Sequence, residues 1–239
     1  MSPMPPRDFL IAARTADTPA LVARHYPPAT PDTMALLVLA HGAGAGQSSP
    51  FMRRYADALS ARGMAVVTFD FPYVTAGRRA PDRAARLEDA FRDAVRGAVA
   101  ATGPVARRVV IGGKSMGGRI ATHLASRPET WSPDLPPLRG VVALGYPLAP
   151  PGGRRAGDRV SHLRALSCPT LIVQGTRDAF GGPEAIAVAV GGDDAAPSVT
   201  ILPVPGGDHS FGVLKSGGRD QDAVHAGIHD AIARWIAAC

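Results

Sequence analysis

The chain has 239 residues, 46% of them hydrophobic, so it is long enough to bury a large core, and no apolar run could cross a bilayer. Its formal net charge of +6 is almost all arginine, with lysine only at Lys114 and Lys215, and the dispersal of this charge among acids argues against a nucleic-acid partner. Residues 1–14 lack the apolar core of a secretory signal, and two cysteines form no disulfide framework or metal cluster, so we expect one cytoplasmic domain, 1–239, without a membrane partner.

Six continuous apolar runs of strand length follow one another along the chain. They are Ala35 to Ala40, Ala65 to Phe71, Val109 to Ile111, Val141 to Leu144, Thr170 to Val173 and Val199 to Val204. Continuous runs are typical of parallel strands covered on both faces. With helical patterns between them, they predict right-handed crossovers and an open, mostly parallel, twisted sheet with helices on both faces. Phe9 to Ala12 and Ala20 to Arg24 are candidates for short edge strands.

Amphipathic helices are predicted where apolar residues recur at helical spacing. The first has Ser49 as its N-cap and ends at Gly63. A second spans Arg83 to Ala101, and the last covers the apolar stripe from Val224 to Ile236. The segment from Pro147 to Leu166 has room for a loop and a short helix but not for a large lid, so we expect little or no cap.

Polar or glycine-rich turns follow four of the predicted strands. They are His41–Gly46, Gly113–Gly117, Gly175–Asp178 and Gly206–His209. In an open α/β sheet the carboxyl ends of the strands gather at one edge, where ligands bind. A nucleophile, an acid and a base therefore follow in the order Ser115, Asp178, His209, which is the order expected of α/β-hydrolases.

The segment from Gly113 to Gly117 has the form of a nucleophile elbow. A serine on a sharp strand-to-helix turn is strained so that its hydroxyl stands clear of the sheet, and the residues two positions either side must be small. Lys114 and Ser115 also imitate the end of a phosphate-binding loop. That motif needs a glycine where Arg108 stands, so we expect no nucleotide and no other cofactor.

His209 is the best candidate for the general base that activates Ser115. It follows a strand, lies in a glycine turn and is distant in sequence from the serine. Asp178 is expected to accept from the other ring nitrogen, which sets the tautomer and stabilises the imidazolium. Asp208 is a rival acid, but side chains of neighbouring residues usually diverge.

Two further groups could be mistaken for site residues. Asp70 ends the second core strand and is expected to pair with Lys114 or Arg79. His225 and His229 are four residues apart and could share a metal, but no third ligand is evident. We therefore interpret the two histidines as a solvated helix face and expect no metal.

An acyl-transfer site also needs two donors for the developing oxyanion. One is expected to be the backbone N–H of Met116, directly after the nucleophile. The other is expected from the turn after His41, at Ala43.

Several motifs resemble a dienelactone-hydrolase-like subgroup of the α/β-hydrolase superfamily. They are His41–Gly44, Phe69–Tyr73, Gly77–Arg79, Pro81–Arg83 and Gly112–Arg119. The subgroup includes bacterial predicted hydrolases, a testis-expressed animal protein and a scaffold subunit of a chromatin acetyltransferase complex. Dienelactone hydrolases themselves use a cysteine where this chain has Ser115.

The resemblance implies hydrolysis of a small carboxylic ester or thioester through an acyl-enzyme. It leaves open whether Arg78, Arg79 or Arg119 contacts the substrate. Because the scaffold relative has the fold without catalysis, the alternative is a non-catalytic interaction protein.

Overall fold

The computed structural model describes residues 4–14, 19–30, 35–103, 108–149, 160–191 and 198–239. Its strands are β1 (Arg7–Ile11), β2 (Leu21–Tyr26), β3 (Leu36–Ala40), β4 (Ala65–Phe69), β5 (Val109–Lys114), β6 (Leu138–Leu144), β7 (Thr170–Gly175) and β8 (Val199–Val204). Its α-helices are α1 (Pro50–Ser60), α2 (Pro72–Thr75), α3 (Ala84–Thr102), α4 (Met116–Ala125), α5 (Pro183–Val190) and α6 (Gln221–Ala238). Short 3₁₀ turns cover Pro128–Thr130, Ser161–Ala165 and Lys215–Gly217.

The strands form one eight-stranded sheet in the order β1-β2-β4-β3-β5-β6-β7-β8. Both pairings of β2 are antiparallel, and the pairings from β4 across to β8 are parallel. This is the α/β-hydrolase fold, as predicted. The prediction of β2 as an edge strand is wrong, because it pairs with β4 as well as β1 and buries Leu21 and Ala23 in the core.

Helices cover both faces of the sheet, which explains why the central strands β3 and β4 are buried along their whole length. One face packs against α3 and α4 through side chains such as Phe91 and Ile120. The other face packs against α1 and α6 through Leu59 and Ile232. Every residue of β3, at the centre, is buried. Because the strands from β4 to β8 are parallel, their carboxyl ends lie at one edge of this core.

The first helix begins as predicted, with the Ser49 side chain accepting a hydrogen bond from the Met52 N–H at 3.4 Å. It ends at Ser60, and Gly63 lies in the turn beyond with φ +88°. The expectation of little or no cap concerns mainly residues 150–159, which lie outside the described residues. No helix in the described ranges combines the length and apolarity needed to cross a bilayer.

The prediction that His225 and His229 form a solvated face is wrong, because both are buried between α6 and α1. The His225 Nδ1 lies 3.2 Å from the Tyr55 hydroxyl. The His229 ring stands edge-on to Tyr55 with 4.5 Å between centroids, and burial lowers the pKa of His229 to about 4. Among the described residues, no group of metal-ligating side chains includes them.

Candidate active site

Ser115 lies in the turn between β5 and α4 with φ +51° and ψ −113°. A non-glycine residue in such a conformation costs about 1–3 kcal/mol and is characteristic of functional sites. The turn needs its flanking glycines, since a Cβ on Gly113 would lie 2.3 Å from the Ala40 carbonyl oxygen and one on Gly117 2.4 Å from it. The local geometry is that of a nucleophile elbow.

The predicted acid and base meet directly. The His209 Nδ1 lies 2.8 Å from Asp178 Oδ2, with the Asp178 side chain fully buried and the His209 side chain 23% exposed. An ionised carboxylate only accepts hydrogen bonds, so Nδ1 carries the proton. The Nε2 of His209 is then the free basic nitrogen, as a general base requires.

Asp178 is held by two further donors. Its Oδ1 accepts from the Phe180 N–H at 2.8 Å, and its Oδ2 accepts from the Gln174 side-chain amide at 2.9 Å. Gln174 is completely buried and also donates to the Gly181 carbonyl at 2.6 Å. Sequence reasoning missed Gln174, although a glutamine ending an otherwise apolar strand four residues before the acid was a usable signal.

Ser115 and His209 line one cavity of about 610 Å³ at the carboxyl edge of the sheet. Met116 and Ala43, the two expected oxyanion donors, line the same cavity. More than half of the other lining residues are apolar, namely Phe51, Met52, Leu87, Pro147, Phe180, Pro50, Pro81, Ala45 and Ala84. The structure thus brings four of the five predicted site residues to one cleft and places Asp178 behind His209.

The glycine-rich turn after β3 stands beside the nucleophile, since a Cβ on Gly42 would lie 3.6 Å from the Ser115 Cβ. The Ala43 carbonyl accepts from the Tyr73 hydroxyl at 2.9 Å. Burial raises the pKa of Tyr73 to about 12, so it remains a donor. Met116 is the first residue of α4, where a backbone N–H has no intrahelical acceptor. The assignment of the Ala43 and Met116 N–H groups as oxyanion donors stays a prediction.

His41 fixes this turn from inside the protein. Its Nε2 accepts from the Phe71 N–H at 3.1 Å, so its Nδ1 carries the proton and donates to the Gly42 carbonyl at 2.8 Å. Burial lowers the pKa of His41, which keeps the ring neutral. His41 therefore orients the turn rather than acting as a base.

The rival acids have other partners. Asp70 accepts a hydrogen bond from the Gln47 N–H at 2.7 Å. The expected pairing of Asp70 with Lys114 or Arg79 is therefore wrong, because the turn that carries Gln47 binds this carboxylate instead. Asp208 accepts from the N–H groups of its own turn at residues 210 and 212, both at 2.8 Å.

The arginines left open by the sequence differ in position. Arg119 lines the cavity. Arg78 binds Asp82 at 2.7 Å, and Asp82 also lines the cavity. The cleft therefore has both charge signs at its rim, beside a mostly apolar wall.

The strained serine, the histidine bound to a buried carboxylate and the glycine-rich turn after β3, all at one sheet edge, are features of the α/β-hydrolase class. Residues 33–237 match the family model described as an alpha/beta hydrolase domain, and the chain belongs to this family. No curated protein shows significant sequence similarity to it.

Similar solved structures cover almost the whole chain. A serine hydrolase without a lid from Xanthomonas campestris is 18% identical over 98% of this chain and 97% of that chain, with a TM-score of 0.70. A putative dienelactone hydrolase from Klebsiella pneumoniae is 18% identical over 97% of this chain and 98% of that chain, with a TM-score of 0.71. Est1E from Butyrivibrio proteoclasticus is 14% identical over 96% of this chain and 99% of that chain, with a TM-score of 0.68. These similarities establish the fold, while the links to a testis-expressed protein and an acetyltransferase subunit stay predictions.

Proposed function

We propose that this protein is a serine hydrolase that cleaves a small carboxylic ester or thioester through an acyl-enzyme on Ser115. The observation that carries the proposal is the 2.8 Å contact between the buried Asp178 and His209, whose ring lines the same cavity as the strained Ser115. A neutral serine hydroxyl is a weak nucleophile until a positioned base takes its proton.

In the first half of the reaction, Nε2 of His209 takes the Ser115 proton while Oγ bonds to the substrate carbonyl carbon. The carbonyl π electrons move onto oxygen, where the N–H groups of Ala43 and Met116 donate to the oxyanion. As the carbonyl re-forms, the bond to the leaving group breaks. The departing alcohol or thiol takes the proton from His209, leaving an acyl ester on Ser115.

In the second half, a water molecule replaces the leaving group. His209 takes its proton, the hydroxide oxygen bonds to the acyl carbon, and the oxyanion forms again at the same donors. Collapse releases the carboxylic acid, and Ser115 regains its proton from His209. Asp178 stays ionised throughout and stabilises the imidazolium, so the cycle needs no cofactor.

The cavity supports a small and partly apolar substrate. Its volume of about 610 Å³ lies within the range usual for small-molecule sites. Apolar side chains such as Phe51, Leu87 and Phe180 line it, which suits a short acyl chain or an aromatic leaving group.

A fluorophosphonate probe tests the proposal. It should label the wild-type protein, and Ser115→Ala should abolish both labelling and turnover of 4-nitrophenyl acetate. Ser126→Ala is the control, because Ser126 lies at the C-terminal end of α4 and outside the cavity lining, so it should leave both signals intact. A folded wild-type protein that is neither labelled nor active would refute the proposal and favour the non-catalytic alternative.

A further inference from the structure

Lys114 joins the nucleophile strand to the loop that carries the base. Its Nζ donates to the backbone carbonyl oxygen of His209 at 2.6 Å, across 95 positions of sequence. Lys114 is 8% exposed and directly precedes Ser115. One side chain therefore connects the main chains of the two residues that must exchange a proton.

Gly145, directly after β6, leaves the space for this bond. A Cβ on Gly145 would lie 2.6 Å from the His209 carbonyl oxygen and 2.9 Å from the Lys114 Nζ. Either distance is shorter than a carbon can approach without displacing its neighbour. Any side chain at position 145 would thus separate the lysine from the carbonyl.

The surroundings of Lys114 make a purely space-filling role costly. No carboxylate in the described ranges lies within 4.0 Å of its ammonium group, although Asp178 and Asp208 act on it at longer range. The Phe51 ring lies over it with 5.4 Å from Nζ to the centroid. Burying an ammonium group without an ion-pair partner is unfavourable, and an apolar side chain would fill this space more cheaply.

We propose that Lys114 is a positioning residue of the hydrolase site, whose ammonium group holds the His209 main chain in register with Ser115 while Gly145 keeps the path between them open. The inference rests on the proposed function. Lys114 also lines the cavity, but in this role it transfers no proton and acts through the position of His209. It limits the movement of the histidine loop, and displacing a catalytic group by about 1 Å can cost on the order of a hundredfold in rate.

Two variants break the same bond from opposite sides. Lys114→Met removes the donor and retains the approximate length of the side chain. Gly145→Ala retains the lysine and places a methyl group against both partners. Gly218→Ala is the control for backbone strain, because Gly218 has the same φ of +64° as Gly145 but no atom within 4 Å of its Cβ position.

Both test variants should lower kcat for 4-nitrophenyl acetate by roughly 10- to 100-fold with little change in KM. The labelling rate with the fluorophosphonate should fall in parallel, and Gly218→Ala should match the wild type in both assays. A rise in KM at unchanged kcat would overturn the proposal and make Lys114 a substrate-binding residue. Normal kcat in folded Gly145→Ala protein would also overturn it.

The pH profile separates positioning from packing. Burial lowers the pKa of Lys114 to about 8, with Asp178 and Asp208 opposing that shift. The charged donor is present below this pH and is lost above it, and a hydrogen bond from a charged donor is roughly twice as strong as a neutral one. Wild-type kcat/KM should therefore decline above about pH 8, and Lys114→Met should lack that decline. An alkaline decline of the same size in both proteins would contradict the proposal.

Amide hydrogen exchange gives a readout that does not depend on activity. Exchange in the histidine loop, residues 206–212, should be faster in Lys114→Met and Gly145→Ala than in the wild type and Gly218→Ala. If the fluorophosphonate fails to label the wild type but the exchange pattern is as expected, the proposed hydrolase function is refuted and the role of Lys114 in holding the loop is not. If the fluorophosphonate labels the wild type but exchange in the loop is unchanged in both test variants, the role of Lys114 is refuted and the hydrolase function is not.

Discussion

The carboxylate of Asp178 meets the imidazole of His209 at 2.8 Å across 31 positions of sequence, and the acid is wholly buried while the ring reaches the cleft. The contact decides which ring nitrogen carries the proton. Under the proposed function, it therefore also decides whether His209 can act as the base for Ser115.

Asp178→Asn should lower kcat by roughly 10²- to 10⁴-fold, because an amide in this position can favour the wrong histidine tautomer. Asparagine and aspartate side chains have nearly the same shape, so KM and the unfolding midpoint should change little. Asp208→Asn is the control, since that carboxylate accepts only from its own turn in the described contacts. Steady-state kinetics of both variants check the assignment, and comparable losses in the two would argue against Asp178 as the orienting acid.

Ser115→Gly should be more stable than Ser115→Ala by about 1 kcal/mol, because glycine adopts φ +51° without the strain that alanine retains. Both variants should be inactive. Urea unfolding of the two proteins measures the difference. Equal stabilities would show that the elbow stores little strain.

Tyr73→Phe removes the donor to the Ala43 carbonyl and leaves the ring in place. We expect kcat to fall roughly tenfold, less than the 10²–10³ typical of losing an oxyanion donor itself, because the turn is loosened rather than removed. Stability should fall by about 1 kcal/mol. Tyr26→Phe is the control, since Tyr26 lies on β2 and outside the cavity lining, and it should leave kcat unchanged. An equal loss of kcat in both variants would contradict a specific role of Tyr73 in holding the turn that carries Ala43.

His229→Phe should stabilise the protein in acid. Burial lowers the pKa of His229 from 6.5 to about 4, so between these values the unfolded chain binds a proton that the folded chain does not. Wild-type stability should therefore fall as pH drops from 6.5 to about 4, by about 1–3 kcal/mol for this residue. Phenylalanine cannot bind a proton, so this dependence of stability on pH should disappear. It also eliminates the buried Nε2 of His229, which has no hydrogen-bond partner in the described structure.

The measurement is chemical unfolding of wild type and His229→Phe at pH 8 and pH 5. The difference in unfolding free energy between the two proteins should be larger at pH 5. A constant difference would mean that the buried ring does not resist protonation.

The sequence by itself determined the order of the core strands along the chain, the helices α1, α3 and α6, and the turn in which each candidate residue stands. These features follow from local patterns, since apolar runs, N-caps such as Ser49 and the glycines around Ser115 report on neighbours only a few positions away. The carboxyl-edge rule for parallel strands then placed Ser115, Asp178 and His209 at one edge without coordinates.

Only the tertiary structure decided the second layer around those residues. The bond from Tyr73 to Ala43 and the one from Lys114 to His209 join different elements, and the burial of His229 depends on how α6 lies on α1. Such contacts leave no periodic mark in one sequence, because they arise from the three-dimensional packing of elements whose local patterns are satisfied equally well without them.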